Sequence, residues 1–313
     1  MSGIAWLFPG QGSQAPGMGR DVAKQHPAAR RVFEEADAAL EFPLSRLCFE
    51  GPDEELRRTA VTQPAILTVS VALLRVLQER GLRPDFVAGH SLGEYSALVA
   101  AGSLSFTDAV RTVHLRGRWM QEAVPEGQGA MAALLGLEEE KVAEICAEAA
   151  EGEVLSPANF NSPGQVVVAG HAGAVDRAVK LAGERGAMRA IRLPVSAPFH
   201  CALMGPAQER LAAHLATVPF ADLEVPLVTN VDAEPIRVGD AAREALARQV
   251  TAPVRWDASM RRLGELGAAR AYELGPGKVL SGLMRRIDRK LVCKPVSDAA
   301  GIEAVLAAAA EEA

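Results

Sequence analysis

Ser91 stands in VAGHSLGEYSALVAAG (87–102), inside a Gly-x-Ser-x-Gly frame between an apolar run and a stretch of helical character. A serine hydroxyl attacks acyl carbons usefully only when it is exposed, has a base within reach and faces donors for the developing oxyanion. Gly89 and Gly93 meet the first need. They flank a strand-to-helix turn too tight for side chains, which leaves Ser91 at the tip and the N–H of Leu92 pointing into the site. The helix that follows adds the positive end of its dipole. Short strings of this kind also arise by chance in Gly/Ser-rich loops, but the strand before and the helix after weigh against that reading.

The base must come from six histidines. His90 adjoins Ser91, but neighbours at a sharp turn point apart, so it reads as structural. His114 and His214 fall in amphipathic helical runs, where packing is the default role, while His26 and His171 sit in polar, loop-like contexts. His200 follows LPVSAPF, where a strand gives way to a Pro-punctuated segment of the kind that sends a side chain into a cleft. No acid obviously completes a triad; a backbone carbonyl can fix the imidazole tautomer instead, leaving a dyad.

The second oxyanion donor is sought in FPGQGSQAPGMG (8–19), the Gly-rich loop after the first strand. Its rival reading is a dinucleotide loop, since Gly10, Gly12 and Ala15 fit GxGxx(G/A). A nucleotide-binding helix must begin at once, and APGMG at 15–19 interrupts it. The loop GPGKVLSG (275–282) lacks phosphate-loop spacing and reads as a turn into a helix. In TDAVRTVHLRGRWMQEAV (107–124), Val110, Val113, Gly117, Met120 and Val124 make one apolar face at helical spacing. Arg111 and Arg118 lie on the polar side, and Arg116 at the margin is aimed inward. A buried guanidinium needs an anion. Its planar fork suits a ligand carboxylate, and an internal ion pair with a core-edge Asp or Glu is the competing reading.

The elements that must position these residues alternate. IAWLFPG (4–10) and PDFVAGHS (84–91) read as strands, and AILTVSVALLRVLQERG (65–81) as a helix stopped by glycine. The order predicts an α/β core with parallel strands. From about residue 126 the pattern becomes βαββαβ, the plan of a ferredoxin-like unit, and PLVTNVDAEPI (226–236) and AARAYELGPG (268–277) then resume strand-then-loop patterns suited to the main sheet. The expected division is a main domain of 1–125 and 197–313 with an insert at 126–196. The AVLAAAAEEA terminus reads as a helix end that frays.

Composition agrees with a large core: 313 residues, 49% hydrophobic and 23% charged. A net charge of −6 without dense Lys/Arg runs argues against nucleic acid as the main partner. The opening residues show no cationic leader before an apolar core, and nowhere do roughly 18 uncharged apolar residues run together, so the expectation is a cytoplasmic protein without a membrane partner. Cys48, Cys146, Cys201 and Cys293 form no CxxC pair, which suggests neither a metal site nor a disulfide framework. No exposed apolar stripe is evident, and the chain is read as a monomer.

Taken together, the motifs FPGQGSQ (8–14), TQPAI (62–66), GHSLGEY (89–95), RGRWMQ (116–121), NFNSPGQVVVAG (159–170), PFHCALM (198–204) and RQVTAPVRW (248–256) run in the family's order along essentially the whole chain. The chain resembles the malonyl-CoA:acyl carrier protein transacylases of dissociated fatty acid synthesis. That resemblance implies a hydrolase-like α/β domain with an inserted ferredoxin-like subdomain. It further implies a ping-pong transfer with no cofactor of the enzyme's own, using malonyl-CoA as donor and the phosphopantetheine thiol of acyl carrier protein as acceptor. Ser91 would be the nucleophile, His200 the base, and the Gln249 carbonyl the group that orients the base. The N–H groups of Gln11 and Leu92 would form the oxyanion hole, and Arg116 would clamp the malonyl carboxylate. Gln63, Met120 and Asn159 would line the acyl pocket, and Phe199 would crowd an α-methyl branch. The basic segments around Arg285, Arg286, Arg289 and Lys290, or Lys180, Arg185 and Arg189, would meet the acidic carrier unless both are simply solvated faces. Supply of a polyketide synthase, and a serine thioesterase or hydrolase using water as acceptor, remain the alternatives.

Overall fold

The computed structural model describes residues 3–195 and 197–311. Among the described residues, ten strands form two sheets. In chain order they are β1 Gly3–Phe8, β2 Phe86–Gly89, β3 Gly129–Leu135, β4 Leu155–Ser162, β5 Gln165–His171, β6 Arg189–Arg192, β7 Leu227–Val228, β8 Pro235–Ile236, β9 Ala268–Leu274 and β10 Val292–Val296. The larger sheet runs β10-β9-β1-β2-β7-β8 and is parallel except for the β7–β8 pair. The smaller runs β4-β5-β3-β6 and is antiparallel. The fold is thus mixed α/β. The expected residue 196 boundary and the last two residues of the C-terminal run lie outside the described residues.

β1 shows why the larger sheet is central. Trp6 and Phe8 enter one hydrophobic cluster while Ala5 and Leu7 enter another on the opposite face. Side chains alternate along a strand, so apolar residues at every position require cover on both faces. In the smaller sheet, Ala132, Leu134, Val166 and Val168 pack beneath the helices Glu139–Ala150 and Ala172–Glu184. Met131, Val167 and Ala169 face the other way and join the main core. The smaller sheet is tied to the loop ahead of the helix Trp256–Glu265, where Val254 donates its N–H to Ala158 O and accepts from Phe160 N, each at 2.9 Å.

The helix Thr59–Glu79 begins earlier than its periodicity predicts, because it runs through Pro64. Proline has no N–H, so the carbonyl four residues back loses its helical partner. His114 fills the vacancy, its Nδ1 lying 2.8 Å from Ala60 O. This helix has the length and hydropathy of a membrane span, but 83% of the relevant window is buried within the fold. The helix Phe106–Glu122, which carries His114, is capped by Ser105 accepting from Asp108 N. It approaches Thr59–Glu79 so closely at Gly117 that a Cβ there would stand 2.6 Å from Thr59 O. Those two contacts set the register that faces Arg116 toward Gln63.

Candidate active site

Ser91 occupies the bend between β2 and the helix Gly93–Ala100, with φ of 52°. A non-glycine residue in the left-handed region is strained, and the strain is held by its neighbours. Gly89 and Gly93 leave no room for side chains: a Cβ on Gly89 would meet Gly93 C at 2.0 Å, and one on Gly93 would meet Phe8 O at 2.1 Å. Asn230, in the turn after β7, accepts from Ser91 N at 2.7 Å and donates to Gly89 O at 2.6 Å. The bend is therefore clamped from below.

His200 reaches this serine from a distant stretch of chain, with Nε2 2.8 Å from Ser91 Oγ. Its other ring nitrogen, Nδ1, lies 2.8 Å from Gln249 O. A carbonyl can only accept, so Nδ1 carries the proton and Nε2 is left to accept from the hydroxyl. The ring is 3% exposed. Burial first and the nearby Arg116 charge second hold the His200 pKa down to about 3, so the ring is neutral through the ordinary working range.

Arg116 is 1% exposed. It donates from Nη1 to Gln63 Oε1 at 2.7 Å, and from Nη2 to Gln249 Oε1 at 2.9 Å and Ser91 Oγ at 3.1 Å. All three acceptors are uncharged, so among the described residues no core ion pair is its direct partner. Its Nε, buried, has no partner among the described residues. Burial depresses its pKa, while Tyr95 and Glu94 pull it back up.

A cleft of about 120 Å³ opens above these groups, and every expected pocket residue borders it: Gln11, Gln63, Leu92, Met120, Asn159 and Phe199, together with Ser91, His200 and Arg116. Gln249 lies behind it, fully buried. Gln11 and Leu92 both border the cleft, and among the described residues neither N–H donates to a backbone carbonyl in a turn, loop or cap. Gln63 also donates to Met120 Sδ at 3.8 Å. Met131, Leu193 and Val195 complete an apolar wall that sequence reasoning did not assign. His90 also borders the cleft, but its ring is engaged elsewhere, 2.8 Å from Asn161 Oδ1 and tilted against Trp256.

Asn230 and Glu94 were not singled out in the sequence either, and neither was the Gln249 side chain. That amide donates from Nε2 to Glu94 Oε2 at 2.7 Å and to Ser91 O at 2.9 Å, beyond its bond to Arg116. For Glu94 a signal existed: every residue of Gly93–Ala100 is buried, and a carboxylate on a helix with no polar face is rarely tolerated without a partner.

A protein-family model described as the acyl transferase domain matches residues 5–288. The malonyl CoA-acyl carrier protein transacylase of Escherichia coli (strain K12) is 52% identical over 307 residues, covering 98% of this chain and 99% of that protein. The Bacillus subtilis (strain 168) protein of the same name is 50% identical over 313 residues, covering 100% and 99%. An acyl carrier protein S-malonyltransferase structure from Vibrio cholerae matches with a TM-score of 0.95 at 50% identity, over 97% of this chain and 100% of that one. PlMCAT, a malonyl-transacylase solved in complex with a type II PKS acyl-carrier protein, matches at 0.96 and 48% identity, over 98% and 100%. A glycine-clamped serine, an imidazole oriented by a carbonyl and likeness along nearly the full length agree: the chain belongs to the acyl transferase domain family, among the malonyl CoA-acyl carrier protein transacylases.

Proposed function

We propose that this chain transfers the malonyl group of malonyl-CoA to the phosphopantetheine thiol of acyl carrier protein through a malonyl ester on Ser91. The names of its relatives supply donor and acceptor. The observation that carries the reading is the meeting of two groups on one oxygen: His200 Nε2 and Arg116 Nη2 both contact Ser91 Oγ. One is a base for the attack. The other is a fixed cation beside the point where the acyl group becomes attached.

In the first half-reaction Ser91 Oγ attacks the thioester carbon as His200 Nε2 takes its proton. The Gln249 carbonyl steadies the imidazolium, and the Gln11 and Leu92 N–H groups receive the oxyanion. Collapse breaks the C–S bond, His200 returns the proton to the departing CoA sulfur, and the malonyl ester remains. The carrier's thiol then attacks that ester, with His200 as base and Ser91 as leaving group. No step calls for a metal or cofactor.

In a malonyl ester a single methylene separates the ester carbonyl from the free carboxylate, which puts that carboxylate within reach of a guanidinium that already touches Oγ. Arg116 exchanges its amide contacts for that carboxylate, a charge-assisted pair. Ligand pockets commonly run to about 300–1,000 Å³, so a cleft of about 120 Å³ suits a short acyl group and not a fatty chain. Phe199 and Met120 narrow it, against an α-methyl branch in the case of Phe199, while Gln63 and Asn159 supply polar edges. The larger sheet with its helices, 1–125 and 197–313, is read as a hydrolase-like catalytic domain. The 126–196 segment is read as a ferredoxin-like subdomain forming the cleft's far wall; its βαββαβ order supports this.

Intact-protein mass spectrometry after mixing with malonyl-CoA tests the proposal. A single malonyl adduct is expected, absent in Ser91→Ala, and discharged onto holo carrier protein when that is added. Free malonate accumulating while the carrier stays unlabelled would make the chain a hydrolase.

A further inference from the structure

Glu94 lies directly beneath the nucleophile turn and is 1% exposed. Its Oε2 receives two donors, Gln249 Nε2 at 2.7 Å and Asn230 N at 3.3 Å. Its Oε1 is buried without a partner among the described residues. The Gln249 amide spans the gap from this carboxylate to Arg116. A guanidinium only donates and an ionised carboxylate only accepts, so the amide between them has one possible orientation, oxygen toward Arg116 and nitrogen toward Glu94. A buried cation whose direct partners are all neutral still requires a compensating negative charge nearby. Glu94 is the carboxylate so placed.

We propose that Glu94 is the resting counter-charge of Arg116, held one amide away, and that it takes a proton from solvent when the acyl carboxylate occupies the guanidinium. The inference rests on the reading of Arg116 as the carboxylate clamp. Loading puts a second negative charge on one cation in a water-poor site, and two carboxylates sharing such a site do not both stay ionised. The ligand carboxylate touches the cation directly, so Glu94 is the one that becomes neutral. Its unpartnered Oε1 can carry the proton while Oε2 keeps both bonds. Glu94 is thus a positioning residue in either charge state, acting on the site through Gln249 and Asn230.

The titration falls in a measurable range. Burial, opposed by the hydrogen bonds from Gln249 and Asn230 and by Arg116, pushes the Glu94 pKa up to about 7. The other charged or titratable groups near it are Tyr95 on its own helix, Asp232 in the turn after β7, and Arg248 near the end of the helix Gly239–Gln249. Burial drives the Tyr95 phenol far upward. Asp232 and Arg248 are paired with each other at 2.6 Å, which lowers the one and raises the other. None of the three titrates near neutrality.

The experiment adds stoichiometric malonyl-CoA to the protein in weakly buffered solution with a pH indicator, counting adducts by intact mass so that uptake is expressed per malonyl loaded. The transfer itself is proton-neutral, because the departing thiol recovers its proton below its ordinary pKa of about 8.5. The wild type should take up a readily measured fraction of a proton per adduct near neutral pH, growing as pH rises from about 6 to 8. Glu94→Gln, which keeps an acceptor oxygen for Gln249 and Asn230, should take up none. Adduct formation in the wild type without proton uptake overturns the inference and leaves the proposed function standing, as does uptake that persists in Glu94→Gln. Absence of any adduct removes both. The wild-type measurement decides even if the variant fails to fold.

Discussion

Arg116 has two parts to play: in the proposed function it receives the malonyl carboxylate, and its charge helps keep His200 unprotonated. Charge-assisted hydrogen bonds contribute about 1.5–3 kcal/mol, which corresponds to roughly 10–150-fold. Arg116→Ala should therefore lower the preference for malonyl-CoA over acetyl-CoA by that factor, measured as the ratio of kcat/KM values. His200 also leaves a mark on stability. Its pKa is about 3 in the folded protein against an ordinary 6.5, so the unfolded chain takes the proton first. That contribution is complete above pH 6.5 and is lost as pH falls toward 3. Glu94 runs the other way, raised from 4.5 to about 7, so its contribution is present below pH 4.5 and lost as pH rises toward 7. Thermal melts should show wild-type stability falling between pH 4.5 and 3, less so in His200→Gln. Ser91, His200 and Arg116 were legible because each breaks a local pattern: a serine between two glycines, a histidine after a Pro-punctuated strand end, an arginine on an apolar margin. Asn230 was not, since an asparagine in a turn looks like any turn asparagine until the chain brings it under another bend.

Among the elements, the pairing of Thr59–Glu79 with Phe106–Glu122 decides where the guanidinium points. Gly117→Ala would press a Cβ against Thr59 O, and such overpacking costs about 1–3 kcal/mol. Denaturant melts should register that loss. The KM for malonyl-CoA should rise as well, since separating the helices draws Arg116 from Gln63. The start of the first helix was hidden in the sequence for a related reason. Pro64 reads as a boundary, and only the fold reveals that a histidine from another helix serves the stranded carbonyl. The alternation of strand and helix along the chain was plain, because hydrophobic period is a local property. The pairing of β3 with both β5 and β6 was not, because partners distant in sequence leave no local trace.

At the scale of the whole molecule, the two basic segments expected to face the carrier differ. On the smaller sheet's side, Lys180 pairs with Glu184 and Arg185 with Glu148, so that patch is partly neutralised from within. Arg286 instead donates to the neutral Gln165 at 3.2 Å, joining the helix Val279–Ile287 to the β4–β5 hairpin. Arg286→Glu combined with Arg289→Glu should raise the KM for carrier protein several-fold and leave malonyl-CoA kinetics alone. An unchanged carrier KM would point to the other patch. The bonds of Val254 to Ala158 and Phe160 have a mechanical outcome. Val254 follows closely on Gln249, whose carbonyl contacts the imidazole, and β4 carries Asn159, which borders the cleft. Swinging this side of the cleft outward would tug on the very loop that keeps the base in tune, so opening the jaws of this vise would carry a cost in aim.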